Sequence, residues 1–416
     1  MVHPSLPFVL TAVALFAFVA CGSADETTST DDASEAGTTD GGVPDATSPS
    51  SPLESDAATT DGGRDAATAS DATTTDADAP LDGGADALAS DASDSGAADA
   101  ADAPLEPATT VRFVALGDQG KGCASATDGQ CKVAAAMEAK CAASGCDFGV
   151  LLGDNIYQAG APSANDPIFQ TIFEQPYANL AFPFYVALGN HDCGGDGAGT
   201  NFGRCESEIG YTQLSQKWKL PARHYHQKFG GRTLELFVAD TNASMVGAAS
   251  SVLVEDAPLF EAQDNAQRAD LAKWMAASTA AWKIAMGHHP KISNGPHGNA
   301  GKYDCKEVLG SCVAPPAPIN GKGVERFLND VVCGKVDLYL SGHDHSRQWP
   351  LDTCNGTELI VSGGGASTDS LPRSNPMHFA KATLGFVYVV VSEKTLTAEF
   401  IDESGNVEFS RTLTKP

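Results

Sequence analysis

The chain has 416 residues, 42% of them hydrophobic, and is long enough to bury a large core. It carries 53 acidic against 26 basic residues, for a formal charge of −27, and lacks the basic, aromatic-laced patch expected of a nucleic-acid binder. No internal repeat is present in residues 111–416.

Pro7 to Ala20 is an apolar stretch too short to span a bilayer and placed where the h-region of an export signal belongs. Residues 1–21 therefore read as an address, and Phe18-Val19-Ala20-Cys21-Gly22 resembles the lipobox of bacterial lipoproteins. The resemblance implies a lipid anchor at Cys21 and, with Gly22 following it, sorting to an outer membrane. Ordinary signal cleavage and secretion is the alternative. Residues 22–110 shift to Asp, Ala, Ser, Thr, Gly and Pro. They hold 21 acidic residues against Arg64 alone, so −20 of the charge lies there and −7 is left for the rest. Too little apolar surface is available to offset the ordering entropy, and a disordered linker is expected. The acidity is thus a tether property and says little about a substrate.

Residues 111–416 read as one α/β domain. The apolar run Val111 to Leu116 ends in Gly117-Asp118-Gln119-Gly120 and is followed by a helix over Val133 to Ala143. Strands are then expected at Phe148 to Leu152, ending in Gly153-Asp154-Asn155-Ile156-Tyr157, and at Phe182 to Leu188, ending in Gly189-Asn190-His191-Asp192. Leu234 to Ala239 is a strand with only Asp240 and Asn242 at its end. A helix over Asp264 to Ala281 leads into the strand Trp282 to Met286 and then Gly287-His288-His289-Pro290. A helix over Val324 to Val332 precedes the strand Val336 to Leu340 and Gly342-His343-Asp344-His345. Glu358 to Ser362 runs into Gly363-Gly364-Gly365, and the chain beyond Gly385 is β-rich, with a turn at Gly405-Asn406.

Of the 11 cysteines, Cys21 fits the lipid site and ten remain, an even number that with export implies disulfides. Closeness in sequence suggests local clips: Cys123 with Cys131, Cys141 with Cys146, Cys193 with Cys205, Cys305 with Cys312, and Cys333 with Cys354. A structural zinc site is disfavoured by the lack of a C-x-x-C pair.

Ligands in open α/β sheets bind beyond the carboxyl ends of the strands. Five strands here end in glycine followed by metal-ligand residue types, and glycine permits the close approach a packed metal site needs. In the second block a carboxylate and a phenol stand three residues apart. The carboxylate can bridge two cations, and a deprotonated tyrosine favours a hard trivalent ion, although in isolation GDxxY is a weak signal that a turn with a buried tyrosine explains better.

Taken together, GDxG at 117–120, GDxxY at 153–157, GNHD at 189–192, GHxP at 287–290 and GHxH at 342–345 resemble the five-block signature of the calcineurin-like metallophosphoesterases. Tyr157 makes the set similar to the purple acid phosphatase branch, of the tartrate-resistant type. The resemblance implies a four-layer α/β/β/α sandwich, two mixed β-sheets flanked by helices. It also implies an acid phosphatase-like enzyme that hydrolyses small phosphate monoesters with a hydroxide activated at a dinuclear centre. Asp118, Asp154, Tyr157 and His345 would hold Fe(III). Asp154, Asn190, His288 and His343 would hold a divalent Fe, Zn or Mn. On an extended chain the rings of His343 and His345 would point the same way, one toward each ion. His191 is the candidate general acid, and His297 matches the spacing of a second active-site histidine, with a solvated loop residue as the plain alternative. His289 is expected to pack, Asp192 and Asp344 to orient neighbouring histidines, and His224 and His226 to be structural. His378 has no reading. A phosphodiesterase or nucleotidase on the same core is the second reading, and a non-catalytic surface binding protein the third.

Overall fold

The computed structural model describes residues 107–416 except 309, 310 and 317. The export signal, the lipid site at Cys21 and the acidic stretch up to residue 106 lie outside the described residues. Among those described, no helix is long and apolar enough to cross a membrane.

In chain order the elements are β1 (Val111–Leu116), α1 (Gly129–Ser144), β2 (Phe148–Leu152), β3 (Phe184–Ala187), α2 (Phe202–Tyr211), β4 (Trp218–Lys219), β5 (Tyr225–Phe229), β6 (Leu234–Val238), α3 (Thr241–Val246), α4 (Ala257–Ala277) and β7 (Trp282–Met286). There follow the hairpin β8 (Lys306–Val308) and β9 (Ser311–Val313), α5 (Lys322–Phe327), β10 (Leu338–Ser341), β11 (Arg347–Pro350), β12 (Glu358–Ser362), β13 (Met377–Lys381), β14 (Gly385–Val391), β15 (Thr395–Asp402) and β16 (Val407–Thr414).

Two seven-stranded sheets result, ordered β16-β15-β14-β1-β2-β3-β4 and β13-β11-β12-β10-β7-β6-β5. Both are mixed. In the first, β1, β2, β3 and β4 are parallel and β14 joins β1 antiparallel. In the second, β6, β7, β10 and β12 are parallel, with antiparallel β5 on one side and β11 on the other. Alternation along the strands shows how the layers stack. Leu234, Leu236 and Val238 of β6, Ile284 and Met286 of β7, and Leu338 and Leu340 of β10 share one core with the first sheet. Phe237, Ala285 and Tyr339, which point the other way, join Leu271 of α4 and Val324 and Phe327 of α5 in a second core. Helix α1 covers the opposite side, its Val133 and Met137 fully buried. The sandwich with helices on both outer faces is therefore the observed architecture.

Most expected strands appear within two residues of their predicted ends. The helix expected over Asp264 to Ala281 instead starts at Ala257, behind Asp256 with Pro258 in its first turn, and stops at Ala277. Pro is well suited to that first turn, since its missing N–H would be unbonded there in any case. The helix expected over Val324 to Val332 is α5 continued by a π-helical turn at Leu328–Val332. Five disulfides join the cysteines in the five local pairs expected.

Candidate metal centre

The parallel strands of both sheets run the same way into one region, and the loops at their carboxyl ends converge there. Asp118 follows β1, Asp154 and Tyr157 follow β2, and Asn190 and His191 follow β3. From the other sheet, His288 follows β7 and His343 and His345 follow β10. Close approach is what the glycines permit: a Cβ on Gly189 would lie 2.2 Å from Asp154 Oδ1, and one on Gly342 would lie 2.5 Å from Asp118 Oδ2. Asp118, Asp154 and His343 all adopt left-handed backbone, at φ of 60°, 51° and 72°. Such conformations cost energy for residues with a Cβ and gather at functional sites.

Two ligand sets meet at Asp154. Its Oδ2 lies 3.1 Å from Tyr157 Oη and 3.3 Å from His288 Nε2. On the tyrosine side, Oη is 3.3 Å from Asp118 Oδ1 and 3.0 Å from His345 Nε2. On the other side, His343 Nδ1 lies 3.1 Å from His288 Nε2, and one ligand atom each from Asp154, His288 and His343 fall within 4.8 Å of one another. Asn190 Nδ2 donates to the Gly197 carbonyl at 2.8 Å, which leaves Asn190 Oδ1 buried and without a partner. An unpaired buried acceptor is costly unless a cation completes it.

Electrostatics point the same way. Asp118 and Asp154 are almost wholly buried, and among the described residues their ion-pair partners are His345 and His288, with no lysine or arginine. Burial pushes the Asp118 carboxyl well above its usual range. For Asp154 burial acts upward too, but the charges of His288 and His191 prevail and hold it below the carboxylate range. His288 is pulled down by burial, but Asp154, Asp118 and the Leu152 carbonyl together outweigh it and it ends at about 9. Burial drives His343 well below the ordinary histidine value and His345 down to about 4, so both rings are neutral and able to coordinate. Tyr157 keeps its proton here, because burial and the two carboxylates raise its phenol. Two carboxylates and a phenol suit a hard cation, and two imidazoles with an amide oxygen suit a softer divalent one. The donor set therefore fits two adjacent cations.

Second contacts orient these groups. His288 Nδ1 donates to the Leu152 carbonyl at 2.9 Å, which turns Nε2 toward Asp154. His345 Nδ1 lies 3.1 Å from Asp369 Oδ2 and 3.1 Å from Ser367 Oγ. Neither residue was singled out from sequence, since a loop carboxylate after a glycine run has no periodic signature. The His191 ring lies tilted 4.4 Å from the Tyr157 ring and donates through Nδ1 to the Gln158 carbonyl at 2.7 Å. The His297 ring lies 4.1 Å from that of His343, so both candidate catalytic histidines border the same site.

Three expectations need correction. Asp192 does not orient a histidine: its carboxylate accepts the backbone N–H groups of Gly189, Asn155 and Ile156, tying the β2 and β3 loops together. Asp344 likewise accepts the backbone N–H groups of His297 and Gly298 rather than a ring nitrogen. The segment bearing His343 and His345 is bent at the left-handed His343, not extended, so the two rings diverge, one to each side of Asp154. His289 packs as expected, buried with Nδ1 2.9 Å from Thr241 Oγ1. His224 and His226 pair with Asp270 and Glu235 beside Trp274, and His378 lies edge-on to Trp349.

A two-sheet sandwich whose strand ends pool such donors defines a metallophosphoesterase. The family model for calcineurin-like phosphoesterases matches residues 111–347, and the chain belongs to that family. Tartrate-resistant acid phosphatase type 5 of Rattus norvegicus is 28% identical over 330 residues, covering 74% of this chain and 91% of the relative. The enzyme of that name from Sus scrofa is 29% identical over 329 residues, covering 74% and 88%. Purple acid phosphatase 3 of Arabidopsis thaliana is 28% identical over 324 residues, covering 73% and 78%. The chain is thus a phosphoesterase homologous to tartrate-resistant and purple acid phosphatases. Among solved structures, purple acid phosphatase PPD1 of yellow lupin matches with a TM-score of 0.51 at 19% identity, over 74% of this chain and 54% of that one. GAP50, described as the anchor in the inner membrane complex of Plasmodium, matches with a TM-score of 0.55 at 20% identity, over 73% and 89%. Both likenesses concern the fold.

Proposed function

We propose that the chain is an exported phosphatase that hydrolyses phosphate monoesters with two cations, Fe(III) held by Asp118, Asp154, Tyr157 and His345, and divalent Fe, Zn or Mn held by Asp154, Asn190, His288 and His343. The observation that carries this reading is the position of Asp154 Oδ2, within 3.3 Å of both the phenol and the His288 ring. When bound, such a cation pair polarises a phosphoryl oxygen and acidifies water for in-line attack. The protein's own groups supply the rest. His191, with Nδ1–H committed to the Gln158 carbonyl, can in its imidazolium form give the Nε2 proton to the departing alkoxide and be left as neutral imidazole. His297, with Nδ1 committed to Asp304, presents Nε2 to an oxygen of the phosphoryl group. Neither step needs a covalent nucleophile.

Export is supported by five disulfides, which persist in oxidising compartments. An envelope lipoprotein anchored through Cys21, with residues 22–110 as its tether, is the form the sequence favours. The domain itself would start at Val111.

The test is elemental analysis and a visible spectrum of the purified protein, with turnover of a mono-ester and a bis-ester aryl phosphate. One iron with a second transition metal, a purple absorption lost in Tyr157→Phe, and preference for the mono-ester are expected. A colourless protein with two zinc or manganese ions would remove the iron assignment, and preference for the bis-ester would favour the phosphodiesterase reading.

A further inference from the structure

His297 is fixed more tightly than a loop histidine needs to be. Its backbone N–H donates to Asp344 Oδ1 at 2.9 Å, and its carbonyl accepts from the Asp304 N–H at 3.0 Å and from Arg373 Nη2 at 3.3 Å. Its ring is bound at one nitrogen only, with Nδ1 2.8 Å from Asp304 Oδ1. Asp304 thus holds the same residue twice, by main chain and by side chain. Its own φ of 53° is left-handed, a conformation that costs energy outside glycine and persists when the surroundings impose it. The surroundings are visible. Asp304 sits at the root of the β8–β9 hairpin, which is closed at its base by the Cys305–Cys312 disulfide, and Arg373 Nη1 lies 3.2 Å from Cys305 Sγ.

We propose that Asp304 is a positioning residue that fixes the aim of the His297 ring, and that the disulfide-closed hairpin is the arm that holds it there. A carboxylate bound to Nδ1–H anchors that edge of the ring and leaves the Nε2 edge for the site beside His343, as carboxylates do for ligand histidines. The inference rests on the proposed role of His297 in the phosphatase reading, and goes beyond it by assigning a function to a residue outside the five signature blocks.

The experiment is a double-mutant cycle on the full, metal-loaded chain, comparing wild type, Asp304→Asn, His297→Ala and the double variant, with Asp304→Glu as the conservative replacement. D304N is expected to lower kcat by about 10–100-fold, the usual loss for an orienting partner, with little change in KM or melting temperature. D304E should recover part of it, and D304N added to H297A should cost nothing further, because the two act through one ring. A 1H–15N spectrum of histidine-labelled, metal-free protein should show a hydrogen-bonded Nδ1–H for His297 that D304N removes. Wild-type turnover in D304N, losses that multiply in the double variant, or a His297 resonance unmoved by D304N would each overturn the assignment. Full activity in H297A would instead remove the role of His297 in the phosphatase reading, leaving the spectrum to decide the contact.

Discussion

Asp154 and His191 share one short contact, since the His191 N–H donates to Asp154 Oδ1 at 2.9 Å. The candidate acid is therefore built onto the same carboxylate that links the two ligand sets, and its ring is held by Tyr157 and the Gln158 carbonyl. His191→Ala should slow hydrolysis of esters with poor leaving groups by about 10²–10⁴-fold while sparing nitrophenyl-like ones, which depart without a proton. Equal losses on both, measured across a series of leaving groups, would remove it as donor. His288 carries a pH dependence of its own. Burial lowers it, Asp154, Asp118 and the Leu152 carbonyl together raise it by more, and it ends at about 9 against an ordinary 6.5. A raised value means that folding favours the protonated ring, so this contribution is whole below about 6.5 and is lost as pH climbs through 9. Cation-stripped protein should accordingly melt at a lower temperature at pH 9 than at pH 7. Added cations should reverse the trend, because the deprotonated ring is the one that coordinates. A flat profile in chelator would count against this account.

At the level of elements, function depends on how closely loops from two sheets approach. Gly189 follows β3 and Gly342 follows β10, and each lies against a carboxylate of the other loops. Gly189→Ala should push Asp154 aside and weaken cation binding by about 10–100-fold. Gly203→Ala, at an exposed position of α2 where the nearest atom would be 3.6 Å away, serves as the control and should leave binding unchanged. Titration of stripped protein with zinc compares the two, and equal affinities would mean the loops can adjust freely. Asp192 belongs at this level as well: buried, with its carboxylate spread over three backbone N–H groups, it acts as the joint between the β2 and β3 loops.

For the whole molecule, the two cores divide the labour. One lies between the sheets and sets their mutual placement, while the other packs α4 and α5 onto the second sheet. Cys333 and Cys354 belong to the second core, 21 residues apart in sequence, and no residue of the metal centre touches them among the bonds described. Replacing both with alanine should cost about 3 kcal/mol in the chain-entropy account of a loop that size, read as a lower denaturant midpoint, with kcat unchanged. A fall in kcat at full metal content would show that the helical face supports the site.

Sequence alone determined the candidate ligand residues and the strands that bear them, because a buried parallel strand reads as an apolar run and its terminal glycine and polar residues stand out against it. Phe148–Leu152 followed by Asp154, and Leu338–Ser341 followed by His343, are legible for that reason. The local disulfides were legible because neighbours in sequence are neighbours in space. Contacts to backbone were not. Nothing in the residues near 152 or 158 tells that their carbonyls orient His288 and His191, since every residue carries that acceptor. Strand β11 was hidden because Arg347 and Gln348 are buried by partners, Thr383, Glu408 and Ser293, that lie far along the chain. The pairing of His297 with Asp304, and of His345 with Asp369, was likewise decided by tertiary structure, where direction and distance, rather than residue type, select the partner.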